Sequence, residues 1–237
     1  MITADPQNNL KIYIQTEHLD SDFPSRCHNQ FNLSTDRLNN IQELKISGST
    51  IHSFNFLNTM PRLQKIYFLA CTSKVWNTLT GTTEIISLGL HNLKQGKQYL
   101  DQTRFLRTFP HLKYLYVNML GTDQLPELPE LNHLDTVIGV FRNQNAITNR
   151  YDFTSFETIP NLTTFAGYNA VDRHRIPAED FIPVLKNKTL TSFTYSQMYA
   201  TEDKKLTKLI EQYTPAISTT TLPPHKLMEI RKNNFAG

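Results

Sequence analysis

Three stretches of the chain open in the same way at one interval: LDTVIGVF from Leu134, LTTFAGYN from Leu162 and LTSFTYSQ from Leu190. The two steps are equal, since 162 − 134 and 190 − 162 are both 28. In each, an apolar residue takes positions 1 and 4, and Thr or Ser takes position 3. Self-similarity at a fixed period of about 20–50 residues marks a solenoid, because one such unit cannot bury its apolar face alone and must stack on its neighbours.

The pattern extends towards the N-terminus. Ile41, Leu44, Ile46, Ser49 and Ile51 lie at relative positions 1, 4, 6, 9 and 11. Leu63, Ile66, Phe68, Cys71 and Ser73 share those offsets, as do Leu112, Leu115, Val117, Leu120 and Thr122. Another unit lies in TTEIISLGLHNL, starting at Thr83 or Ile85, where Ile86, Leu88 and Leu90 alternate with Ser87 and Gly89. Positions 4 and 6 are two apart, so in an extended segment both side chains point to one face, the core. Position 9 faces the core where the chain turns away, and a small polar side chain there can bond to free backbone groups. Two features leave the register open around LPELPEL and the strand after it. Gly139 and Gly167 stand at position 6, and Leu131 competes with Leu134 because Pro129 precedes it.

A second signature precedes the strands. Leu57 to Leu63, Leu106 to Leu112 and Phe156 to Leu162 share an apolar–x–Thr–apolar–Pro–x–Leu form. Pro61, Pro110 and Pro160 end each segment just before the next strand, since proline lacks a donor and disfavours helix at the residue before it. Asp152-Phe153 and Asp180-Phe181 share one offset and predict short helices, with the carboxylates near their N-termini.

This spacing resembles the leucine-rich repeat, LxxLxLxx(N/C)xL, over roughly residues 38–214, and Cys71 is what that pattern allows at position 9. The resemblance implies an α/β leucine-rich-repeat solenoid of about seven repeats. It would be a curved horseshoe with a parallel β-sheet on the concave face and short helices and loops on the convex face. Residues 1–37 then form an N-terminal cap, with one strand from Leu10 to Ile14 followed by a polar loop around Phe23-Pro24. Residues 215–237 form a connector and tail, in which HKLMEIRKNN is a candidate helix.

Hydrophobic residues make up 39% of the chain and charged residues 19%, both below the globular averages of about 45–50% and 25%. Asn, Thr, Gln and Ser fill the difference, which suits a repeat array with much exposed area and argues against charge-driven disorder. A net charge of +3, evenly spread, is too mild to suggest nucleic-acid binding by itself, and no nucleic-acid partner is expected. The cluster Lys204, Lys205 and Lys208 reads as a solvated helix face with Glu202, Asp203 and Glu211. Neither an export signal nor an apolar run of about 18 residues is seen, so the expectation is a chain that is cytoplasmic or exported by a route that leaves no classical signal, with no membrane partner.

Catalytic and cofactor chemistry finds little footing. Cys27 and Cys71 make no CxxC pair, the eight histidines form no HExxH, and no GxSxG elbow occurs. GLHNLKQGKQ has six residues between its glycines and Gln98 in place of Ser or Thr, so it is not a phosphate loop. Asn32, Asn161 and Asn187 begin glycosylation-type triplets that read as chance products of an Asn- and Thr-rich chain. No metal or other cofactor is expected.

In a leucine-rich-repeat sheet, positions 3, 5 and 7 face outward. This nominates Lys45, Lys65, Tyr67, Leu69, Tyr114, Tyr116, Asn118, Ile138, Tyr168 and Thr194 as partner-binding residues. Tyr67, Tyr116 and Tyr168 stand out, since tyrosine combines contact area with a polar tip; packing between adjacent strands is the competing use of the same rings. The resemblance implies protein recognition, so the expectation is a non-catalytic module that binds another protein, an inhibitor or immunity-type protein being one concrete form. The alternative is an effector or enzyme with active residues grafted on the scaffold, around Cys27-His28 or Asp172-Arg-His174-Arg.

Overall fold

The computed structural model describes residues 2–4, 10–15, 17–31, 33–79, 84–95, 98–99, 106, 108–120, 131–142, 153–169, 176–196, 200–214, 216 and 218–220. They fall in two compact units, Met1–Leu100 and Asp101–Gly237.

The first unit contains β1 (Ile2–Ala4), β2 (Lys11–Gln15), β3 (His18–Leu19), α1 (Phe23–Phe31), α2 (Thr35–Asn39), β4 (Glu43–Ser47) and β5 (Thr50–Ile51). It continues with β6 (Lys65–Leu69), β7 (Thr72–Ser73), β8 (Ser87–His91), β9 (Lys94–Gln95) and β10 (Gln98–Tyr99). Its larger sheet runs β1-β2-β4-β6-β8, parallel throughout except for β1. A second sheet pairs the two-residue strands β3, β5, β7 and β9 in parallel, with β10 antiparallel at its edge. Each repeat therefore supplies one five-residue strand and one short one, joined by a turn.

The register explains the sequence pattern. Ile12, Leu44, Ile66 and Leu88 stand in one row, and Ile14, Ile46, Phe68 and Leu90 in another. All eight are buried, as side chains two apart on one pleated face must be. Leu88 beside Ile66 fixes the start of its repeat at Ile85. The expected N-terminal strand is present, and its Ile12 and Ile14 continue both rows, so β2 already carries the repeat pattern.

The turn after each strand is also repeated. Gly48, Ala70 and Asn92, 22 residues apart, have φ of 59°, 51° and 50°. That left-handed conformation lets the Gly48 and Ala70 amides donate to Leu69 O and His91 O of the following repeat, both at 2.8 Å. Position 9 behaves as its chemistry requires. Ser49 Oγ accepts from Glu17 N at 3.2 Å and donates to Ser47 O at 3.0 Å. Cys71 Sγ donates to Ile46 O and Leu69 O, both at 3.4 Å.

Short 3-10 turns, Asn55–Thr59 and Trp76–Thr78, lead towards the next strands. Here Phe54, Phe56, Phe68 and Trp76 pack edge to face or tilted, with centroids 5.4–6.5 Å apart. Phe23 joins them through Phe56 at 5.5 Å. One expectation needs correcting: the segment around Phe23-Pro24 is not a polar loop but the start of α1. Proline is tolerated in a first turn, where its missing N–H would be unpaired anyway, and Phe23 and Cys27, one turn apart, bury the helix face. Ser34 caps α2, its Oγ accepting from Arg37 N at 3.2 Å.

The second unit contains β11 (Tyr114–Leu120), β12 (Thr136–Arg142), β13 (Thr164–Asn169), α3 (Ile182–Leu185), β14 (Ser192–Ser196), α4 (Ala200–Tyr213) and β15 (Ser218–Thr220). Its five strands are parallel in chain order. Leu115, Val137, Phe165 and Phe193 form one inward row; Val117, Gly139, Gly167 and Tyr195 form the next. The two glycines thus keep their place at position 6, and the repeat starts at Leu134. Leu131 fills the apolar place of the pre-strand turn: Leu134 N donates to Leu131 O at 3.2 Å, as Leu112 N does to Phe109 O at 3.1 Å. The sheet also reaches into the C-terminal connector, where β15 pairs with β14.

The core of this unit is aromatic. Phe153 stacks on Phe181 at 5.2 Å, and Phe165 on Phe193 at 5.6 Å. Asn187 stands where other repeats place Met60, Phe109 or Ile159, and it is buried. Its Nδ2 donates to Phe156 O at 2.8 Å and Ile159 O at 2.7 Å, while Oδ1 accepts from Thr189 N and Oγ1. The expected convex-side helices are mostly single 3-10 turns, Thr154–Thr158 and Ala178–Phe181, the latter running into α3. Asp180 is buried within its turn; Asp152 and the HKLMEIRKNN segment lie outside the described residues. In α4, Lys204, Lys205 and Lys208 are exposed, with Lys205 3.1 Å from Glu202 and 3.6 Å from Glu179. One strand per repeat, parallel pairing, inward rows at positions 4 and 6 and a repeated turn make each unit a leucine-rich-repeat solenoid in fold.

Candidate partner-binding face

On each unit, the candidate residues whose side chains are described stand on the strand face opposite the inward rows, held there by strands whose other side is locked in the core. On the first unit, Tyr13, Lys45, Tyr67 and Gly89 are register partners across β2, β4, β6 and β8. Lys45 Nζ lies 5.8 Å from the Tyr13 centroid and 5.7 Å from that of Tyr67, a cation held between two ring systems. Beside it Lys11 Nζ and Glu43 Oε2 pair at 3.2 Å. Lys65 is exposed and Leu69 half-buried on β6.

Gly89 explains how Tyr67 fits. A Cβ on Gly89 would lie 1.8 Å from Tyr67 Cδ2, so the ring covers the glycine backbone. The residue serves ring packing, in strand β8, and has no phosphate-loop geometry.

Exposure divides the ten nominated residues. Lys45, Lys65, Leu69 and Tyr114 are exposed or half-buried. Tyr67, Tyr116, Ile138 and Thr194 are 4%, 0%, 3% and 6% exposed, so these four differ from the expectation of accessible contacts. The reason is positional. All four occupy position 5, the middle of the outward row, where strands about 4.8 Å apart bring side chains from both neighbouring strands close; Lys45, at the same position, is half-buried. The side chains of Asn118 and Tyr168, on β11 and β13, lie outside the described set. Sequence reasoning passed over Tyr13, although its place between Ile12 and Ile14 gave the same outward signal.

The alternative chemistry loses one of its footholds. Cys27 is buried, and burial pushes its thiol up to about 12, the reverse of what an activated nucleophile needs. Burial likewise pushes Cys71 up to about 11. Asp172 to Arg175 lie outside the described residues. Of the glycosylation-type triplets, Asn187 has both amide protons committed to buried carbonyls, and Asn161 Nδ2 donates to Asn132 O. Asn32 lies outside the described set. Among the described residues no group of three or more His, Cys, Asp and Glu is placed to hold a metal ion, and no helix is long and apolar enough to cross a membrane.

No protein-family model matches the sequence, and no curated protein matches it. Among solved structures, it is similar to an internalin C2 from Listeria monocytogenes at 16% identity, covering 79% of this chain and 74% of that one, with a TM-score of 0.49. It is also similar to an internalin (inlF) from the same organism at 15% identity, covering 86% and 75%, with a TM-score of 0.37.

Proposed function

We propose that this chain is a non-catalytic protein-binding module that recognises a protein partner through the outward sheet face, as an inhibitor or immunity-type protein would. The observation that carries the reading is Lys45 held between Tyr13 and Tyr67, with exposed Lys65 and half-buried Leu69 on the neighbouring strand. Side chains fixed on rigid strands lose little further freedom on binding, so the contact area they offer converts to affinity with a smaller entropic loss. A surface of aromatic, basic and apolar groups on a rigid sheet fits a protein.

The test is affinity capture from native lysate with the wild type and with a Lys65→Glu, Leu69→Asp variant, followed by titration of any partner identified. A partner held by the wild type and released by the variant, at an unchanged melting temperature, supports the proposal. Equal retention by both, or recovery of general chaperones alone, contradicts it.

A further inference from the structure

Two histidines from adjacent repeats of the first unit face each other at the surface. His18 opens β3, and His52 follows the last residue of β5, with which β3 pairs in parallel. His18 Nδ1 and His52 Nε2 are 3.4 Å apart, and the ring centroids are 5.7 Å apart at an interplanar angle of 18°. That centroid separation is close to the largest that two five-membered rings with nitrogens so spaced can have. The two nitrogens therefore point at one another, in nearly one plane. At 3.4 Å the pair exceeds the usual 2.7–3.2 Å reach of a good N–H donor bond, so a direct hydrogen bond between the rings is weak.

The backbone beneath them is fixed. His52 N donates to Leu19 O at 2.6 Å, and Arg26 Nη2 donates to His18 O at 2.5 Å. Arg26 Nη1 also engages both carboxylate oxygens of Asp20, at 2.9 and 3.1 Å, and Asp22 N donates to Asp20 Oδ1 at 3.0 Å. Asp20 is thus occupied in holding the turn. Both imidazoles are exposed.

We propose that His18 and His52 form a two-ligand surface site for a divalent transition-metal ion, Zn²⁺ by its spacing. Zinc–imidazole bonds of about 2.0–2.1 Å meeting at the tetrahedral angle place two ligand nitrogens about 3.4 Å apart, which is the separation seen here. A turn of roughly 35° in each exposed ring, set by the tetrahedral angle at the ion, swings the lone pairs from facing each other to converging on an ion at one side. His18 then ligates through Nδ1 and His52 through Nε2, each neutral and carrying its proton on the opposite nitrogen. Water completes the coordination. A bound ion ties β3 to β5, and so one repeat to the next.

The experiment titrates the tag-free full chain with zinc chloride alone, by calorimetry and by thermal melting. The expected result is a one-to-one isotherm and a melting temperature that rises with zinc. His18→Ala or His52→Ala weakens the isotherm and the double substitution abolishes it. The matched control is a His111→Ala, His133→Ala variant, which removes another histidine pair, with centroids 5.5 Å apart and tilted 39°, and leaves the isotherm intact. A readout without variants is zinc protection of His18 and His52 from diethyl pyrocarbonate, mapped by mass spectrometry. Zinc binding unchanged in the His18, His52 double variant, no binding by the wild type, or modification of both rings undiminished by zinc would each overturn the proposal.

Discussion

Replacing Gly89 by alanine tests the packing of the outward row directly. The new Cβ would stand 1.8 Å from Tyr67 Cδ2, 2.3 Å from Cε2 and 2.9 Å from Cγ. Carbon atoms settle at about 3.5–4.0 Å, so the ring must retreat by roughly 2 Å. It has little room, being 4% exposed and flanked by the Lys45 ammonium at 5.7 Å. Overpacking of this kind costs about 1–3 kcal/mol. In a Tyr67→Ala background the obstacle is gone, and Gly89→Ala should be nearly neutral, giving a coupling energy of about 1–3 kcal/mol in the double-mutant cycle. The chain has a single tryptophan, Trp76, buried among Phe54 and Phe68 of the same unit, so its fluorescence in urea reports on this unfolding. With a slope of about 2 kcal/mol/M, the expected shift of the midpoint is roughly 0.5–1.5 M. Equal shifts in both backgrounds, or none in either, would show that Tyr67 does not lie over Gly89.

Three further outcomes follow from the geometry. Ala70 holds φ of 51°, a conformation that costs an ordinary L-residue about 1–2 kcal/mol; Ala70→Gly should raise stability by about 0.5–1 kcal/mol in the same assay, less than the full strain because glycine loses more chain entropy. Asn187→Ala leaves Phe156 O and Ile159 O without their donor and should cost about 2–4 kcal/mol, read as a lower melting temperature. Folded Cys27 and Cys71 ionise near 12 and 11 against an ordinary 9.0, so the unfolded chain releases those protons first. The stability these two thiols contribute is full below about pH 9 and should be lost as pH rises towards 11–12, and Cys27→Ala should flatten that slope in urea titrations at alkaline pH.

The inward rows were legible because leucine, isoleucine and phenylalanine spaced three and then two apart have one economical arrangement in a parallel sheet. The register at Ile85 and Leu134 was not, because local alternation scores two offsets equally; only pairing with Ile66 and Leu115 decides between them. Helix α1 escaped because Phe23-Pro24 carries a turn signal, while the burial of Phe23 and Cys27 that favours the helix is a tertiary fact. Outward position was also readable, but exposure was not. Tyr67 and Tyr116 point away from the inward rows and are still covered, since burial there depends on neighbours across the sheet. The left-handed turn at Ala70 gave no sign at all, because alanine in sequence announces no positive φ. Gly48 and Asn92 at the equivalent sites did, and their 44-residue separation, two repeats of 22, could have revealed the third midway between them.

A crystal structure of the chain decides the central claim. The expected result is Leu44, Ile66 and Leu88 side by side in parallel strands and pointing into the core, with the Tyr67 ring lying on Gly89. Antiparallel pairing of those segments, or the same three side chains turned to solvent, would contradict it.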